Sequence, residues 1–266
     1  MVRVSGIFYS VTASATAHGF RRGFSLLELI VVISITSLLA GLLMPALSSV
    51  RENARRVMCG ANQRQLGQAV TMYSGDRRNR LPVASVLDLP IPDPGLLGLV
   101  RNGSEVSYFR APSADATYRT IPEPLVDSSW DGLGHLYKWR YCDTPDTFYC
   151  PSHQGMHLLE ENRDRWEART IREPMFGNYH YVGHKDWRTG KRLSLIQGHD
   201  LVLATDGLLT KSDYSHRVGY NILRGDGSVT WKDDVLIQAQ LSQLPPSDLA
   251  AMGDLEDLIY ELFLDR

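Results

Sequence analysis

The hydrophobic pattern opens with an uninterrupted apolar run. Between Leu29 and Val50 the chain carries no charged residue. As a helix rising about 1.5 Å per residue, this run extends roughly 33 Å, which is enough to cross a bilayer core. A buried helix of a soluble protein seldom stays uncharged on every face over such a length. The run therefore predicts one membrane-spanning helix.

Apolar positions continue past this run at helical spacing. They recur every three to five residues, at Leu47, Val50, Ala54, Val57, Ala61, Leu66, Ala69 and Tyr73. The pattern predicts one continuous helix from about Phe24 to Ser74, with its first half in the membrane and its second half packed on a globular head. A coiled-coil dimer is a competing interpretation, but Gly60 and Gly67 would spoil its seam.

The segment in front of the apolar run is basic. Residues 1–23 contain Arg3, Arg21 and Arg22 and no acidic residue, which is typical of a cytoplasmic leader. A small-x-small tripeptide, the mark of ordinary signal-peptide cleavage, lies at residues 15–17, ahead of the run rather than behind it. Because arginines also follow the run, charge bias does not decide its orientation.

Glu28 stands at the start of the apolar helix. A carboxylate within a membrane costs on the order of 3 kcal/mol, so it suggests a function unless it snorkels to the interface. The surrounding string, RRGFSLLELIVVISI, resembles the prepilin cleavage and methylation signal of type IV pilins and type II secretion pseudopilins. The resemblance implies that Gly23 precedes the cut, that Phe24 becomes the N-methylated first residue, and that Glu28 is the fifth mature residue.

The same resemblance implies how subunits assemble. Prepilin peptidase would cut at the cytoplasmic face and leave the apolar helix on the product. In a growing filament the amine of Phe24 would pair with Glu28 of a neighbouring subunit, because a paired carboxylate is far less costly in lipid than a lone one. Neighbouring helices would approach closely at small residues, namely Ser34, Ser37, Ala40 and Gly41.

The pattern changes after the helix to short apolar runs separated by turn residues. Residues 81–125 predict irregular loops with short strands, and residues 161–169 predict a short exposed helix. LVLATD, which ends at Asp206, predicts a strand, and GYNILRGDGSVTW predicts a hairpin with a type I′ turn at Asp226-Gly227. The paired strands would carry Asn221, Leu223, Val229 and Trp231.

Two further strings carry a family resemblance. CGANQRQLGQAVTMYSGDRRNRLP, which starts at Cys59, resembles the region behind the membrane helix in large pilin-like proteins of planctomycete-type bacteria. HRVGYNILRGDG separates His216 from Asp226-Gly227 by nine residues, and it matches the His-x9-Asp-Gly motif by which some pilin-like proteins are recognised. His216 is either a structural residue near the hairpin or part of a cation site with Asp206 or Asp226.

The sequence predicts no metal and no cofactor. Calcium prefers six to eight oxygen ligands, and no Asp-x-Asp-x-Asp loop occurs. Two His-x3-His pairs would suit zinc if helical, but each contains a glycine and neither has the Glu of a His-Glu-x-x-His protease. The pairs are His153 with His157 and His180 with His184. No Gly-x-Ser-x-Gly elbow is present either, so the chain is predicted not to be an enzyme.

Three cysteines are too few for a disulfide scaffold. Cys142 and Cys150 flank a short loop, and in an oxidising periplasm they are the candidate disulfide. Cys59 offers either of them an alternative partner. The odd number leaves one thiol unpaired within the chain.

These patterns predict an α+β, pilin-like fold: a long N-terminal membrane-spanning helix packed on a globular head with a small antiparallel sheet. The predicted parts are a removed leader at residues 1–23, a membrane and filament-core helix at 24–47, its periplasmic continuation at 48–76 and the head at 77–243. Residues 244–266 predict an acidic amphipathic helix that either closes the head or docks on another assembly component.

The predicted function is structural. The chain would be a pseudopilin-like subunit of a type II secretion system or related pilus, with its N-terminus inside, one pass through the inner membrane and a periplasmic head. Its partners would be prepilin peptidase and other pilin subunits. With 28 Lys and Arg against 30 Asp and Glu, no nucleic acid is expected. The alternative is a membrane-anchored periplasmic binding protein or enzyme that does not polymerise. A binding protein predicts no processing at Gly23 and indifference to Glu28→Ala, whereas an enzyme predicts that the head alone, cut near Asp76, turns over a substrate.

Overall fold

A computed structural model describes residues 24–88, 98–103, 108–110, 118–120, 130–155, 157–186, 189–207, 215–216 and 218–233. The chain divides between Ser48 and Ser49 into two compact units. The leader at 1–23 and the helix predicted at 244–266 lie outside the described residues. Both therefore stay predictions.

The predicted long helix is present. Helix α1 runs from Leu26 to Asp76. In the first unit its large apolar side chains are exposed, with Leu26 at 74% and Leu38 at 66%. Among the described residues, α1 alone is long and apolar enough to cross a membrane, and its most apolar window is not buried. This half of α1 is an apolar surface that the first unit itself does not cover.

The second half of α1 buries one face against the head. The buried positions include a series spaced three or four residues apart, at Cys59, Gln63, Leu66, Val70 and Tyr73. The predicted apolar stripe is right from Leu66 to Tyr73 and wrong before it, since Val57 is 71% exposed. Before Leu66 the residues that face the head are Cys59 and Gln63, whose side chains hydrogen-bond polar groups. A pattern of apolar residues therefore does not identify this face.

Two glycines let the head approach α1 closely. A Cβ at Gly67 would lie 2.8 Å from Leu223 Cδ1, and a Cβ at Gly60 would lie 3.4 Å from Asn221 Oδ1. The glycines that would spoil a coiled-coil seam therefore serve packing within the chain.

The elements of the head follow in chain order. The strands are β1 Leu99–Arg101, β2 Tyr108–Arg110, β3 Tyr118–Thr120, β4 Met175–Phe176, β5 Tyr179–Tyr181, β6 Val202–Asp206, β7 Gly219–Arg224 and β8 Val229–Asp233. The short helices are α2 Gly134–Lys138 and α3 Leu159–Glu167, with 3₁₀ turns at Ser85–Asp88, Pro145–Phe148 and Leu195–Asp200.

Strands β5, β6, β7 and β8 form one antiparallel sheet in that order. Two smaller antiparallel pairs join β1 to β4 and β2 to β3. Asn221 lies opposite Trp231 and Leu223 lies opposite Val229, as predicted for the hairpin. The α+β, pilin-like layout with a small antiparallel sheet is thereby confirmed.

The turn of the β7–β8 hairpin differs from the predicted type I′ form. Gly227 has a φ of +81°, whereas Asp226 lies outside the left-handed region. The N–H of Gly227 donates to the carbonyl of Arg224 at 2.9 Å, which closes a type I turn followed by a left-handed residue. The turn is therefore a three-residue loop with a G1 bulge, in which only Gly227 needs a positive φ.

Helix α3 is partly buried rather than exposed as predicted. Its Trp166 is 1% exposed and packs against Trp130 and Phe148. The buried guanidinium of Arg101 donates to the carbonyl of Ala168, just past the end of α3, where the helix dipole favours a positive charge. This aromatic cluster forms part of the core of the head.

Candidate functional site

The start of α1 carries the residues of the predicted processing signal. Phe24 is 76% exposed, and Gly23 lies outside the described residues. The backbone N–H of Ser25 donates to Glu28 Oε2 at 2.8 Å, and that of Leu27 donates to Ser25 Oγ at 3.3 Å. Ser25 therefore caps the start of α1, and Glu28 bonds back to the Ser25 backbone, which together satisfy two of the first backbone donors.

Sequence reasoning missed this capping role of Glu28. The signal was available, because Ser25-Leu26-Leu27-Glu28 is a Ser-x-x-Glu string in front of an apolar run. Glu28 consequently has a role in its own helix besides any role between subunits. An experiment on Glu28 must separate the two.

The hydroxyl groups within the apolar half of α1 bond their own helix. Ser34 Oγ donates to the carbonyl of Ile30 at 2.7 Å, and Thr36 Oγ1 donates to that of Val32 at 3.0 Å. A hydroxyl satisfied in this way costs little in an apolar environment. These polar residues are therefore compatible with burial in lipid or among other helices.

A second group of polar residues lies buried in the head, centred on Asp206 at the end of β6. Its Oδ1 accepts from Gln63 Nε2 at 2.7 Å and from Cys59 Sγ at 2.9 Å. Its Oδ2 accepts from the backbone N–H of Asn221 at 2.7 Å and from Asn221 Nδ2 at 3.0 Å. Burial raises the pKa of Asp206 to about 6, and the charge of Cys150 adds to the rise. Asp206 thus joins α1 to β7 through a buried carboxyl group.

Three side chains of metal-binding types, two thiols and one imidazole, meet beside this carboxylate. The Sγ atoms of Cys59 and Cys150 and a ring nitrogen of His216 all lie within 4.8 Å of one another, and all three residues are buried. Cys150 Sγ lies 3.5 Å from His216 Nε2, and that nitrogen lies 3.7 Å from Asp206 Oδ2. The helix, the loop after Pro145–Phe148, and the segment before β7 each contribute one side chain.

The other side of the His216 ring faces a carboxylate. His216 Nδ1 lies 2.8 Å from Glu52 Oε1, where the half-buried Glu52 sits on α1 two turns before Cys59. Ser152 Oγ donates to both oxygens of Glu52, at 2.9 and 3.0 Å. Glu52 therefore fixes the ring so that Nε2 points at the sulfur atoms.

Burial and mutual charge set the protonation states of this cluster. Burial raises the pKa of the Cys59 thiol well above its usual range. The hydrogen bond with Cys59 lowers the pKa of Cys150 to about 5, against the effect of burial. Burial alone would lower the pKa of His216, but Cys150, Asp206 and Glu52 raise it to about 9. At neutral pH a Cys150 thiolate therefore lies beside a His216 imidazolium.

This chemistry is that of a nucleophile, but access is lacking among the described residues. A thiolate, an imidazolium and a carboxylate are the parts of a nucleophilic triad. Cys150 is only 4% exposed and His216 only 2%. A cavity of about 890 Å³ in the head is lined elsewhere, by residues such as Arg77, Arg80 and Arg192. The cluster is better suited to hold an ion, or to form a bond between its own sulfur atoms, than to attack a substrate.

The structure separates the predicted motif residues. His216 belongs to the buried cluster and bonds side chains, not the backbone near the hairpin. Asp226 lies in the exposed hairpin turn, where Oδ1 accepts from the N–H of Ser228 at 2.9 Å and Oδ2 lies 3.1 Å from His199 Nδ1. The hydrogen bonds with Ser228 lower the pKa of Asp226 to about 2. Of the two aspartates considered as partners of His216, the structure brings Asp206 to it.

The candidate disulfide between Cys142 and Cys150 is not formed in the structure. Both are free thiols, as is Cys59. Cys142 Sγ lies 4.0 Å from the carbonyl oxygen of Thr144, whereas Cys150 faces Cys59 and His216. Cys59, named from the sequence as an alternative partner, is therefore the cysteine that meets Cys150.

The two His-x3-His pairs do not lie on helices. His180 is in β5 with His184 after it, and His153 and His157 lie in a non-helical stretch where His157 has a φ of +67°. The geometry that would have suited zinc is therefore absent from both pairs. Glu52 and Gln63 are the site residues that the sequence did not reveal. Only their spacing from Cys59, seven residues before it and four after it, shows that they share a face of α1.

Comparisons with known sequences agree with the resemblance at both ends of α1. A profile of the prokaryotic N-terminal methylation motif matches residues 20–44, which include Gly23, Phe24 and Glu28. The profile of the family described as "Protein of unknown function (DUF1559)" matches residues 48–192, a range that includes Cys59 and Cys150 and ends before His216. Neither a curated protein nor a solved structure matches the chain.

Proposed function

Because this chain belongs to the DUF1559 family, a planctomycete-type pilin-like family, and begins with a prokaryotic N-terminal methylation motif, we propose that it is a structural pseudopilin-like subunit of a type II secretion system or a related pilus. Prepilin peptidase cuts it between Gly23 and Phe24, and Phe24 is then N-methylated. The subunit assembles with other pilin subunits through the N-terminal half of α1.

The observation that carries this proposal is the exposed apolar half of α1 with one acid at its start. Side chains such as Leu27, Leu42 and Leu43 are 64–70% exposed. Exposing such a surface to water is unfavourable, so lipid or other helices are expected to cover it. We place it first in the inner membrane, with the N-terminus inside and the head in the periplasm, and then in the core of a filament.

Glu28 sets the register of the subunits in this proposal. A carboxylate in lipid is costly alone and much less so when it is paired with a cation. The new amine of Phe24 on a neighbouring subunit supplies that cation, while Ser25 keeps its capping bond to Glu28 Oε2. Subunits in correct register are thereby the low-energy arrangement.

The sequence offers a matched control for the cleavage site. Gly19-Phe20 and Gly23-Phe24 are both Gly-Phe pairs. Only a cut at the second pair makes Glu28 the fifth residue of the product. We therefore expect Gly23→Leu to block processing and Gly19→Leu to leave it intact.

Intact mass and N-terminal sequencing of the full-length protein, purified from its membrane, test the proposal. The expected mature chain begins with N-methyl-Phe24 in the wild type and the Gly19 variant and retains residues 1–23 in the Gly23 variant. An unprocessed wild type beginning at Met1 would contradict the proposal and favour an anchored binding protein or enzyme that does not polymerise.

A further inference from the structure

The buried cluster in the head has the composition of a metal centre. Two sulfur atoms and an imidazole nitrogen, from Cys59, Cys150 and His216, lie within 4.8 Å of one another. Each residue comes from a different part of the second unit, and none is more than 4% exposed. Thiolate and imidazole donors together suit zinc, whereas calcium and magnesium require oxygen donors.

The distance between two of the donor atoms fits a tetrahedral ion. Zinc bonds of about 2.3 Å to sulfur and about 2.0 Å to nitrogen place the two donors about 3.5 Å apart at a tetrahedral angle. Cys150 Sγ and His216 Nε2 lie 3.5 Å apart. This pair of donors is therefore spaced for an ion between its two atoms.

Asp206 lies beside these three donors and would supply the fourth ligand after a shift of its carboxylate. Its Oδ1 lies 2.9 Å from Cys59 Sγ and its Oδ2 lies 3.7 Å from His216 Nε2. Gln63 and Asn221 occupy the other positions of the carboxylate and hold it in place. The 2.9 Å contact with Cys59 Sγ is a hydrogen bond, so an ion that replaced the thiol proton would move these two atoms to about 3.5 Å apart.

The surroundings of His216 match those of a metal-bound histidine. Ligating histidines almost always donate their other ring N–H to a carboxylate, carbonyl or water, which fixes the ring. His216 Nδ1 lies 2.8 Å from Glu52 Oε1, and Ser152 donates to both oxygens of Glu52. Glu52 is therefore a positioning residue for the site.

We propose that Cys59, Cys150, His216 and Asp206 bind one Zn²⁺ ion that fastens α1 to the sheet of the head. Binding displaces the Cys59 thiol proton and the Nε2 proton of His216 to solvent, and no electron is transferred. With four protein ligands the site is closed, so its role is structural rather than catalytic. The inference departs from the sequence prediction of no metal, and it does not rest on the proposed function.

Zinc binding to the full-length protein in detergent tests the proposal. The protein is reduced, stripped with EDTA, supplied with Zn²⁺ alone, desalted and measured for metal content. We expect one zinc per chain and a raised Tm in the wild type. Cys142→Ser is the matched control, because Cys142 is outside the cluster, and it should bind zinc equally. Cys59→Ser, Cys150→Ser and His216→Gln should each lower zinc affinity by at least about tenfold.

Cobalt gives a reading that does not depend on whether a variant folds. Co²⁺ added to the stripped wild type should produce a thiolate-to-cobalt charge-transfer band and the intense visible bands of a tetrahedral ion, which Zn²⁺ should then abolish. Glu52→Gln should keep these bands while weakening zinc affinity about 10-fold to 100-fold.

Several results would overturn the proposal. One is the absence of a thiolate band in the reduced wild type. Another is equal zinc uptake by the wild type and the Cys59 and Cys150 variants. A third is a purified protein with a Cys59–Cys150 disulfide whose thiols do not bind zinc after reduction. The cluster would then be a disulfide site.

Discussion

The two halves of α1 both place polar groups among apolar ones, and they do so in opposite ways. In the first unit, Glu28 bonds the backbone of its own helix cap, and the apolar side chains that follow are exposed. In the second unit, Cys59 and Gln63 each bond Asp206 of the head. The second half therefore finds the partners of its polar groups within its own chain. The exposed apolar side chains of the first half need lipid or another subunit to cover them.

This difference decides how each half responds to change. Where the partner is in the same chain, losing it leaves a buried polar group unsatisfied, so the free energy of unfolding falls. Where the partner is lipid or another subunit, the isolated chain loses nothing, and the defect shows as lost insertion or assembly. A substitution can therefore be assigned to one half by which of the two quantities it changes.

The largest expected effect is that of Asp206→Ala. It removes the acceptor of four hydrogen bonds in the head, so we expect a loss of about 3–5 kcal/mol in unfolding free energy. Urea unfolding of the full-length protein in detergent, followed by tryptophan fluorescence with EDTA present, measures it. The exposed Asp164→Ala should change stability by less than about 0.5 kcal/mol. Equal effects of the two variants would remove Asp206 from its central place in the head.

Acid should destabilise the head through His180. Burial lowers the pKa of His180 from 6.5 to about 4, and its Nδ1 has no hydrogen-bond partner among the described residues. Since the folded state holds it neutral and the unfolded state takes up a proton, its contribution is present above pH 6.5 and is lost as the pH falls to about 4. The loss is up to about 3 kcal/mol.

His180→Gln should reduce the slope of this acid limb in urea unfolding from pH 7 to pH 4. The part due to His135, whose pKa burial also lowers to about 4, should remain. The exposed His199→Gln should leave the limb as it is in the wild type. If both variants lose stability with acid as steeply as the wild type, another group controls the acid limb.

Substitutions of single glycines in α1 should have the smallest effects on stability. Gly67→Ala places a Cβ against Leu223 and should cost about 1 kcal/mol after its gain in helix propensity. Gly75→Ala, which meets nothing within 4 Å, should instead stabilise by up to about 1 kcal/mol. Denaturant midpoints compare the two, and a stabilised Gly67→Ala would show that α1 packs less closely on the sheet.

Gly41 allows the same test, whether an added side chain meets a neighbour, in the apolar half of α1. A Cβ there meets nothing within 4 Å, so Gly41→Leu should leave the urea midpoint of the head unchanged. It should nevertheless reduce co-purification with other pilin subunits, because small residues allow helices to approach closely. Unchanged co-purification would place Gly41 outside the subunit contact.

The sequence predicted those parts of the fold that follow local patterns. The long helix, the strand ending at Asp206 and the β7–β8 hairpin rest on hydrophobic periodicity and turn residues, and all three are present. The turn type was wrong because two glycines flank Asp226, and the chain uses Gly227 alone for the positive φ. Local patterns fix where elements lie better than how the chain turns between them.

The buried cluster was beyond sequence reasoning because it is assembled by tertiary packing. Cys59, Cys150 and His216 are far apart in the chain, and no short spacing links them. Cys142 is nearer to Cys150 in sequence, which favoured a pairing that is not formed in the structure. On α1, the face toward the head was misassigned because Cys59 and Gln63 are buried for their hydrogen bonds, which an apolar pattern does not detect.

The central claim is that Glu28 acts between subunits as a charge, and one comparison tests it most directly. Gln at position 28 still accepts the capping bond from Ser25 but carries no charge, whereas Ala loses both. Two differently tagged copies are co-expressed, one is captured, and the amount of the other is measured with processing at Gly23 checked by mass. We predict that Glu28→Gln reduces co-capture about tenfold or more, as far as Glu28→Ala does. Wild-type co-capture by Glu28→Gln together with a loss in Glu28→Ala would contradict the claim and leave Glu28 as a helix cap.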